Sequence, residues 1–266
     1  MSSRRWKVLA LLTAFCVFVY GCFIEPRWIE VTHWPRQVGL SGATIKIAQL
    51  SDLHISELGP TEKNTLQQLK IIQPQIILFS GDVIDHPDSL PALRTFLGQL
   101  PISNKIAILG NWEHWSGVDL KALAALYSEH DVTLLVNRCV SFAIQGSRLS
   151  IAGIDDYTAG QPDVDRTFKG CGKDEPIIIA EHSPALFEEI PSSDMRKPAF
   201  SLSGHTHGGQ FAIGSKAIFT PRGSGRFVFG WYTTQWGDLY VSKGVGTSII
   251  PMRIGARPEI AVFEIN

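Results

Sequence analysis

Hydrophobic and polar positions follow one another in short blocks that predict strands alternating with helices. Residues 44–50 alternate and then become apolar, and residues 76–79 and 105–109 are short apolar runs typical of strands buried on both faces. Between these runs, residues 61–72, 90–100 and 118–130 have helical spacing, with Thr61 as the expected N-cap of the first helix. This order predicts βαβ units and a mainly parallel sheet.

The pattern changes after residue 132, where the connections become shorter. Strands are expected over residues 132–136, 149–154, 176–180 and 199–202, and antiparallel strands over 227–242 and 259–265. No internal repeat or linker interrupts residues 40–266. We therefore expect one α/β domain over residues 40–266, with a sheet from each half packed together and helices outside.

The N-terminal segment, residues 1–30, has the pattern of a membrane anchor. Val8–Ile24 contains no charged residue and follows Arg4, Arg5 and Lys7. Its 17 residues would span ~26 Å as a helix, against a hydrocarbon core of ~30 Å. No A-x-A cleavage site follows, so we expect an uncleaved, single-pass signal anchor, with a lipoprotein signal ending at Cys22 as the alternative.

Charge asymmetry around this segment predicts how the protein sits in the inner (cytoplasmic) membrane. Positive charge before the segment favours an N-terminus in the cytoplasm and a domain on the outer side. Trp28 and Trp34 then lie either at the membrane surface or in the first strand of the domain; the sequence leaves both open.

Composition narrows the class of protein and of partner. Hydrophobic residues make up 44% of the chain, charged residues 18%, and the formal net charge is -1, so we expect an ordered domain with no nucleic-acid partner. Cys139 and Cys171 would be able to pair in an exported domain, but nothing in the sequence brings them together. The pattern favours two free thiols.

Metal-capable side chains follow the ends of several predicted strands. Because the carboxyl ends of strands in an open α/β sheet face one crevice, these side chains are expected to converge. Oxygen and imidazole ligands without thiolate favour manganese, with iron or zinc as alternatives. Each short motif is weak alone, but together they provide enough ligands for two divalent metal ions: Asp52, His54, Asp82, Asn111, His182, His205 and His207.

The ordered series D-x-H, G-D-x-x-D, G-N, H and G-H-x-H resembles the calcineurin-like metallophosphoesterases over roughly residues 44–265. The extended motif G-H-T-H-G-G-Q at 204–210 and the N-terminal anchor resemble the membrane-anchored bacterial branch, some members of which hydrolyse UDP-2,3-diacylglucosamine. The resemblance implies a four-layer αββα sandwich behind an N-terminal membrane-anchor helix.

The resemblance also implies a role for each ligand. Asp52, His54 and His207 would hold the first metal, Asp82 would bridge both, and Asn111, His182 and His205 would hold the second. Asp85 would support a ligand without binding metal. A hydroxide bridging the two ions would attack phosphorus in line with the leaving group.

The chain departs from the family pattern immediately after Asn111. The family usually has a histidine there, which donates a proton to the leaving oxygen, whereas this chain has Trp112, followed by Glu113 and His114. Either His114 replaces the missing acid, or the substrate has a leaving group that departs without protonation. A general acid contributes ~10²- to 10⁴-fold, more for an alkoxide than for a phosphate.

Substrate contacts are expected from residues near these motifs. Arg222 is the first candidate for binding a non-reacting phosphate, with Arg226 and Arg253 as further candidates. Trp112 and Trp115 would form an apolar wall. Asp155 and Asp156 suit either the substrate rim or a turn.

The sequence as a whole predicts a membrane-associated binuclear phosphoesterase. We expect it to hydrolyse a phosphodiester or pyrophosphate bond, with a lipid-linked substrate such as UDP-2,3-diacylglucosamine as one candidate. The alternatives are a broad-specificity phosphodiesterase or phosphatase of soluble or envelope substrates, and a non-catalytic, membrane-tethered metal-binding module. A serine hydrolase is disfavoured because the chain has no G-x-S-x-G motif.

Overall fold

The computed structural model describes residues 3–42, 44–100, 102, 104–191, 197–214 and 216–266. Met1 and Ser2 of the predicted anchor segment lie outside these residues. Helix α1 (Ser3–Val19) continues through a π-helical turn (Tyr20–Ile24) and a 3₁₀ turn (Glu25–Arg27). Within the described residues, one helix, the 24 residues Arg4–Arg27, is long and apolar enough to cross a membrane, since it extends over about 36 Å.

Two six-stranded sheets form the centre of the domain. The first has the order β1-β14-β2-β3-β4-β5, in which β2 to β5 are parallel and β14 runs antiparallel to β2. Its strands are β1 (Glu30–Arg36), β2 (Ile45–Leu50), β3 (Ile76–Ser80), β4 (Asn104–Ile108), β5 (Val132–Leu134) and β14 (Glu259–Ile265).

The second sheet has the order β12-β13-β9-β8-β7-β6, with β13, β9, β8 and β7 parallel and an antiparallel strand at each edge. Its strands are β6 (Arg138–Ile144), β7 (Ser147–Gly153), β8 (Ile177–Ala180), β9 (Phe200–Ser203), β12 (Gly230–Thr234) and β13 (Gly237–Val241). A small separate hairpin pairs β10 (Ala212–Ile213) with β11 (Lys216–Ala217).

Three hydrophobic clusters define four layers. Successive side chains of a strand point to opposite faces, so Ile45 and Ile47 of β2 pack between the two sheets, while Ala48 and Leu50 pack toward the outer helices. The other face of the second sheet packs on Phe187 and other residues outside it. The α/β class and the predicted αββα sandwich are therefore confirmed.

Helices cover the outer faces of the sheets, and several begin or end away from their predicted limits. The helices are α2 (Pro60–Ile72), α3 (Leu90–Leu97), α4 (Asn111–Trp115), α5 (Leu120–Glu129), α6 (Val164–Phe168) and α7 (Leu186–Glu189). Thr61 is not the cap of α2, because Pro60 already occupies the first helical turn and Gly59 precedes it. Thr61 Oγ1 instead donates to the Pro26 carbonyl.

The C-terminal strands correct a second expectation. Residues 230–241 do form an antiparallel hairpin, but β13 also pairs in parallel with β9. Strand β14 is antiparallel to β2 and parallel to β1. Strand β1 contains Trp34, which the sequence left open between the membrane surface and the first strand of the domain. The Trp34 ring packs edge-on against Trp231, 6.1 Å between centroids, so Trp34 belongs to the domain.

The prediction of two free thiols in the domain was wrong. Cys139 of β6 and Cys171 after α6 form a disulfide, with 5.1 Å between their Cα atoms. The turn from α6 brings Cys171 back to β6, a contact that sequence spacing does not reveal. Cys16 and Cys22 of the N-terminal helix are free.

The end of the N-terminal helix docks directly on the domain. The Arg253 amide donates to the Gly21 carbonyl, and the buried Glu25 carboxylate accepts from the Ala256 amide at 2.7 Å. A side chain at Gly21 would meet Met252 at 2.9 Å. The helix end is therefore packed against the loop that leads into β14.

Candidate metal centre

The ends of five strands deliver the predicted ligands to one edge of the two sheets. Asp52 and His54 follow β2, Asp82 follows β3, and Asn111 opens α4 just after β4. His182 follows β8, and His205 and His207 follow β9. The parallel strands of both sheets thus bring together side chains from widely separated parts of the sequence.

One group of ligand atoms consists of Asp52, His54 and His207, all buried and within 4.8 Å of one another. His207 Nε2 lies 3.4 Å from Asp52 Oδ1 and 3.2 Å from His54 Nε2. The two imidazoles are stacked with their centroids 5.0 Å apart. These are the three residues expected to hold the first metal.

The second group consists of Asp82, His182 and His205, also buried and within 4.8 Å of one another. Asp82 Oδ2 lies 3.0 Å from His182 Nε2 and 4.0 Å from His54 Nε2, so this carboxylate lies between the two groups. Asn111 Oδ1 lies 2.8 Å from His205 Nδ1 and adds an oxygen to the second group.

Hydrogen bonds orient two imidazoles for metal binding. His182 Nδ1 donates to the Ser80 carbonyl at 2.7 Å, which leaves the Nε2 lone pair facing Asp82; among the described residues this buried Nε2 has no hydrogen-bond partner. His205 Nε2 donates to the Arg222 carbonyl at 2.8 Å, so its Nδ1 lone pair faces the Asn111 oxygen. A nitrogen lone pair and an oxygen that face each other cannot form a hydrogen bond, but both can bind the same cation. The two histidines are therefore oriented as metal ligands.

Charges in the second group reinforce this fit. Burial opposes ionisation of Asp82, but the facing imidazole of His182, with smaller effects from His54 and His205, lowers its pKa to about 2. Burial likewise disfavours a charged His182, yet the Asp82 and Asp52 carboxylates raise its pKa well above the ordinary value. The site is therefore strongly attractive to positive charge.

Five of the ligands adopt backbone conformations that side chains rarely take. Asp52, His54, Asp82, His205 and His207 have φ values of 52°, 46°, 52°, 71° and 52°. Such left-handed residues are uncommon outside glycine and cluster at functional sites, where the surrounding structure maintains them. The ends of three strands, β2, β3 and β9, thus carry backbone strain that directs these five ligands toward one point.

Two glycines make this convergence possible. Gly81 has φ +90°, and a Cβ there would lie 2.5 Å from His182 Nδ1. A Cβ on Gly204 would overlap the Ser51 hydroxyl and the Asp52 carboxylate. Larger residues at either position would displace a ligand.

Glu113 performs a positioning role that the sequence did not reveal. Its buried carboxylate accepts from the amides of Gly110 (2.7 Å), Asp82 (3.0 Å) and Val83 (2.6 Å). It therefore fixes the loop after β3 against the loop after β4. The sequence signal was an acid inside an otherwise aromatic turn, three residues after Gly110.

Arg253 supports the site from behind rather than facing substrate. Its buried guanidinium donates to the carbonyls of Gly246, Ala256, Lys243 and His207, and burial lowers its pKa to about 10.

Asp85 lies behind His54. Its Oδ2 is 3.7 Å from His54 Nδ1, the ring nitrogen that points away from His207.

An apolar pocket of about 360 Å³ opens above the ligands. Asp82, Asn111, His205 and His207 line its polar end. The remaining walls are mostly apolar: Trp112, Trp115, Phe211, Phe219, Pro221, Ile249 and Ile250, with the exposed Arg222 at the rim. The pocket therefore combines a polar floor at the ligands with apolar side walls.

His114 lies outside this pocket. Its Nε2 is 2.9 Å from Asp155 Oδ1, and it lines a neighbouring cavity of about 960 Å³ together with Asp155 and Asn137. The hydrogen bond with Asp155 raises the pKa of His114. Trp112 takes the position beside the metal ligands, its ring 6.0 Å from that of His54 and perpendicular to it. This arrangement does not favour His114 as the acid.

The remaining candidates for substrate contact have other partners. Arg226 pairs with Glu188 and stacks over Phe227, 4.9 Å from the ring centroid. Asp155 and Asp156 are buried and accept turn amides, Asp155 from Gln161 and Asp156 from Thr158 and Ala159. The turn interpretation of Asp155 and Asp156 therefore fits their contacts.

Comparison with known proteins agrees with this geometry. Residues 45–209 match the family model "Calcineurin-like phosphoesterase". The chain belongs to the calcineurin-like phosphoesterases. It is accordingly a metal-dependent phosphoester hydrolase, as predicted, and two buried ligand groups suit a dinuclear divalent centre.

Relatives of this calcineurin-like phosphoesterase match it over nearly all of the residues in the chain. It is 30% identical to an uncharacterized metallophosphoesterase, YkuE, of Bacillus subtilis, over 96% of this chain and 92% of that one. It is also 30% identical to a transmembrane protein with metallophosphoesterase domain of Bos taurus, over 95% of this chain and 60% of that one. One crystal structure superimposes with a TM-score of 0.50 at 10% identity, covering 74% of this chain and 90% of its own. That likeness concerns the fold alone.

Proposed function

We propose that this phosphoesterase hydrolyses a phosphodiester or pyrophosphate bond of a lipid-linked substrate at two divalent ions, with manganese as the preferred metal. The observation that carries the proposal is the position of Asp82 between two buried ligand groups beneath an apolar pocket. When bound, two divalent ions supply a hydroxide nucleophile at neutral pH and neutralise charge on the phosphoryl oxygens.

The residues of this chain then have distinct tasks. Asp52, His54 and His207 would hold one ion, His182, His205 and Asn111 would hold the other, and Asp82, which lies between the two groups, would contribute its carboxylate to the centre. The backbone carbonyls of Ser80 and Arg222 fix the tautomers of His182 and His205, so that each keeps a lone pair for metal. Arg222, which lines the pocket, would bind a second, non-reacting phosphate.

The leaving group is proposed to depart without protonation by a histidine. Trp112, whose indole N–H can donate a hydrogen bond but is not acidic enough to transfer a proton, stands beside His54, and His114 is hydrogen-bonded to Asp155. A phosphate leaving group needs little protonation, whereas an alkoxide needs a general acid. Pyrophosphate and activated phosphodiester bonds are therefore favoured over alkyl esters.

Substitution of His114 tests whether this residue is the general acid or whether the leaving group departs without protonation. We expect His114→Asn to retain kcat on an alkyl phosphodiester within a few-fold, since the loss of a true general acid would cost about 10²- to 10⁴-fold. Asp155→Asn is the matched variant, because it releases the ring without removing it. A loss of two orders of magnitude in the first variant would restore His114 as the acid.

The compartment helps to choose the substrate. The Cys139–Cys171 disulfide supports a domain on the outer side of the membrane, because disulfides persist in oxidising compartments. Nucleotide-linked lipids such as UDP-2,3-diacylglucosamine would be met on the cytoplasmic side. An outer domain would instead meet phosphoesters of the envelope, which makes a broader envelope phosphodiesterase the second candidate.

Two measurements test this proposal. A C-terminal fusion reporter, active on one side of the membrane only, locates the domain; we expect outer activity, and cytoplasmic activity would contradict that assignment. Purified full-length protein with Mn²⁺ is then assayed on UDP-2,3-diacylglucosamine, on a lipid phosphodiester in vesicles and on bis-p-nitrophenyl phosphate. Turnover of the water-soluble ester alone would argue against a lipid-linked substrate.

A further inference from the structure

Several large apolar side chains on the loops beside the metal pocket are exposed to solvent. This apolar rim consists of Ile213, Ile218, Phe219, Ile249 and Ile250. Phe219 is 71% exposed, Ile218 72% and Ile249 88%. Soluble proteins rarely expose so many large hydrophobic residues together, and such patches mark contact with a partner or a membrane.

The backbone at Ile249 of the rim adopts a strained conformation that holds its side chain in solvent. Ile249 has φ 61°, a left-handed conformation that is a genuine outlier for a β-branched residue. The neighbouring turn is held by Gln210, whose side chain donates to the carbonyls of Ser248 and Ile250 and accepts from the Ser248 amide. Local bonding therefore maintains a strained isoleucine that no core contact requires.

The rim adjoins the end of the N-terminal helix. Met252 packs beside Gly21 in the N-terminal helix, and only Pro251 separates Met252 from Ile250 of the rim. Two residues of chain span at most about 7 Å, so Ile250 lies close to the helix end. The hairpin that carries Ile213 is tied to the same loop, since the Ala212 amide donates to the Ile254 carbonyl. The helix end and the rim are thus parts of one surface.

Sheet topology places this surface at the same edge as the metal centre. Strand β14 runs antiparallel to β2, so the loop before β14 lies at the carboxyl end of β2, next to Asp52. At the helix end, the Arg257 guanidinium lies 4.1 Å from the centroid of the exposed Trp28 ring. Tryptophan and arginine at the end of an apolar helix are typical of the membrane interface.

From this continuity we propose that the apolar rim inserts into the lipid bilayer beside the anchor, so that the metal pocket opens onto the membrane surface. The inference rests on the proposed function, because it gives the pocket a lipid phosphoester whose acyl chains stay in the bilayer. Phe219, Ile249 and Ile250 then line both the rim and the pocket, and a phosphate at headgroup depth reaches the metal ligands without extraction of the lipid.

Site-specific fluorescence in vesicles tests the insertion. The full chain, with Cys16 and Cys22 changed to Ser, is labelled with an environment-sensitive fluorophore at Ile218→Cys or Ile213→Cys, neither of which lines the pocket. The vesicles contain phosphatidylethanolamine and phosphatidylglycerol with brominated acyl chains. Ala143→Cys is the matched control, because Ala143 is exposed near the end of β6, which runs antiparallel to β7 and so ends at the opposite edge of the sheet.

We expect the bromines to quench both rim labels, which lie about 5–10 Å into the boundary between headgroups and acyl chains, and to leave the label at residue 143 unquenched. Equal quenching at the rim and at residue 143 would overturn the proposal. So would rim labels that are shielded from aqueous iodide but not quenched by brominated lipid, because a second copy of the chain would then cover the rim.

A parallel assay keeps this test separate from the proposed function. Each labelled chain is also assayed for hydrolysis of bis-p-nitrophenyl phosphate with Mn²⁺. Quenching without hydrolysis would contradict the proposed function and leave the insertion supported, whereas hydrolysis without quenching overturns the insertion alone.

Discussion

At the scale of single residues, the centre depends on carboxylates and imidazoles that are almost fully buried. Asp82 illustrates this: it is buried, its backbone is left-handed, and its oxygens contact the Trp112 amide at 2.8 Å and the His182 ring at 3.0 Å. Each of these contacts directs the carboxylate toward the point between the two ligand groups. A substitution of Asp82 is therefore expected to disrupt metal binding.

Replacement of Asp82 by Asn should therefore lower metal content and turnover together. The amide keeps the shape but loses the charge that faces two cations, and we expect kcat on bis-p-nitrophenyl phosphate to fall by on the order of 10²-fold or more. Metal content by mass spectrometry should fall below two ions per chain. Asp88→Asn, on the exposed surface, is the control. Full metal content in the Asp82 variant would contradict its position between both ions.

The hydrogen bond between His114 and Asp155 is expected to make the unfolding free energy of the protein depend on pH. Asp155 raises the pKa of His114 in the folded protein above its ordinary value of about 6.5. A raised folded-state pKa stabilises the protein fully below the unfolded-state value, and this stabilisation disappears as pH rises through the folded-state value.

Comparison with His114→Gln measures that dependence. The variant should lose more unfolding free energy, relative to the original chain, at pH 5.5 than at pH 9. Urea unfolding at both pH values supplies the measurement, and an equal loss at both would show that the ion pair contributes nothing.

At the scale of elements, connections outside the central strands decide much of the stability of the domain. The Cys139–Cys171 disulfide joins β6, an edge strand, to the chain after α6, across a sequence separation of 32 residues. An edge strand has hydrogen-bonded neighbours on one side only. A covalent link there opposes its separation from β7.

Removal of the disulfide should destabilise the domain measurably. A loop of this length restricts the unfolded chain by about 3–4 kcal/mol, so we expect Cys139→Ser/Cys171→Ser to lower the unfolding free energy by up to that amount. The original chain in excess dithiothreitol should show a similar loss. If dithiothreitol has no effect on the original chain, the cysteines are not paired in the protein.

At the scale of the whole molecule, the metal centre joins the two sheets. Its ligands come from β2, β3 and β4 of the first sheet and from β8 and β9 of the second. Ions bound there would bind the folded chain far better than the unfolded chain, because only the folded chain brings the five strand ends together.

Chelation should therefore remove activity and stability at once. Ligands that bind only the folded state stabilise it by about 2.7 kcal/mol at a concentration 100 times their dissociation constant. We expect exhaustive treatment with a chelator to lower Tm and abolish hydrolysis, and Mn²⁺ to restore both more fully than Zn²⁺. An unchanged Tm in the stripped protein would count against a metal centre that links the sheets.

Local sequence was sufficient for the class of fold and for the set of ligand types, because short apolar runs and polar strand ends are local features. The helices α2, α3 and α5 and the strands β2, β3 and β4 follow the predicted pattern to within a few residues. Strand β6 was missed and β1 was only one of two alternatives, since edge strands such as these are only partly buried and lack a clear apolar pattern. Thr61 failed as a cap because a neighbouring proline had already begun the helix.

The sequence by itself determined the α/β class and the residues able to bind metal, because hydrophobic periodicity and the spacing of polar motifs are properties of neighbouring positions. The same motifs carried the family resemblance, which implied the four-layer αββα sandwich. Tertiary structure alone decided which side chains meet. It paired Cys139 with Cys171, turned His114 toward Asp155, surrounded the Glu113 carboxylate with backbone amides and brought the apolar rim close to the end of the N-terminal helix. These contacts connect distant parts of the chain, and only the packing of the two sheets and the loops between them determines the distances involved.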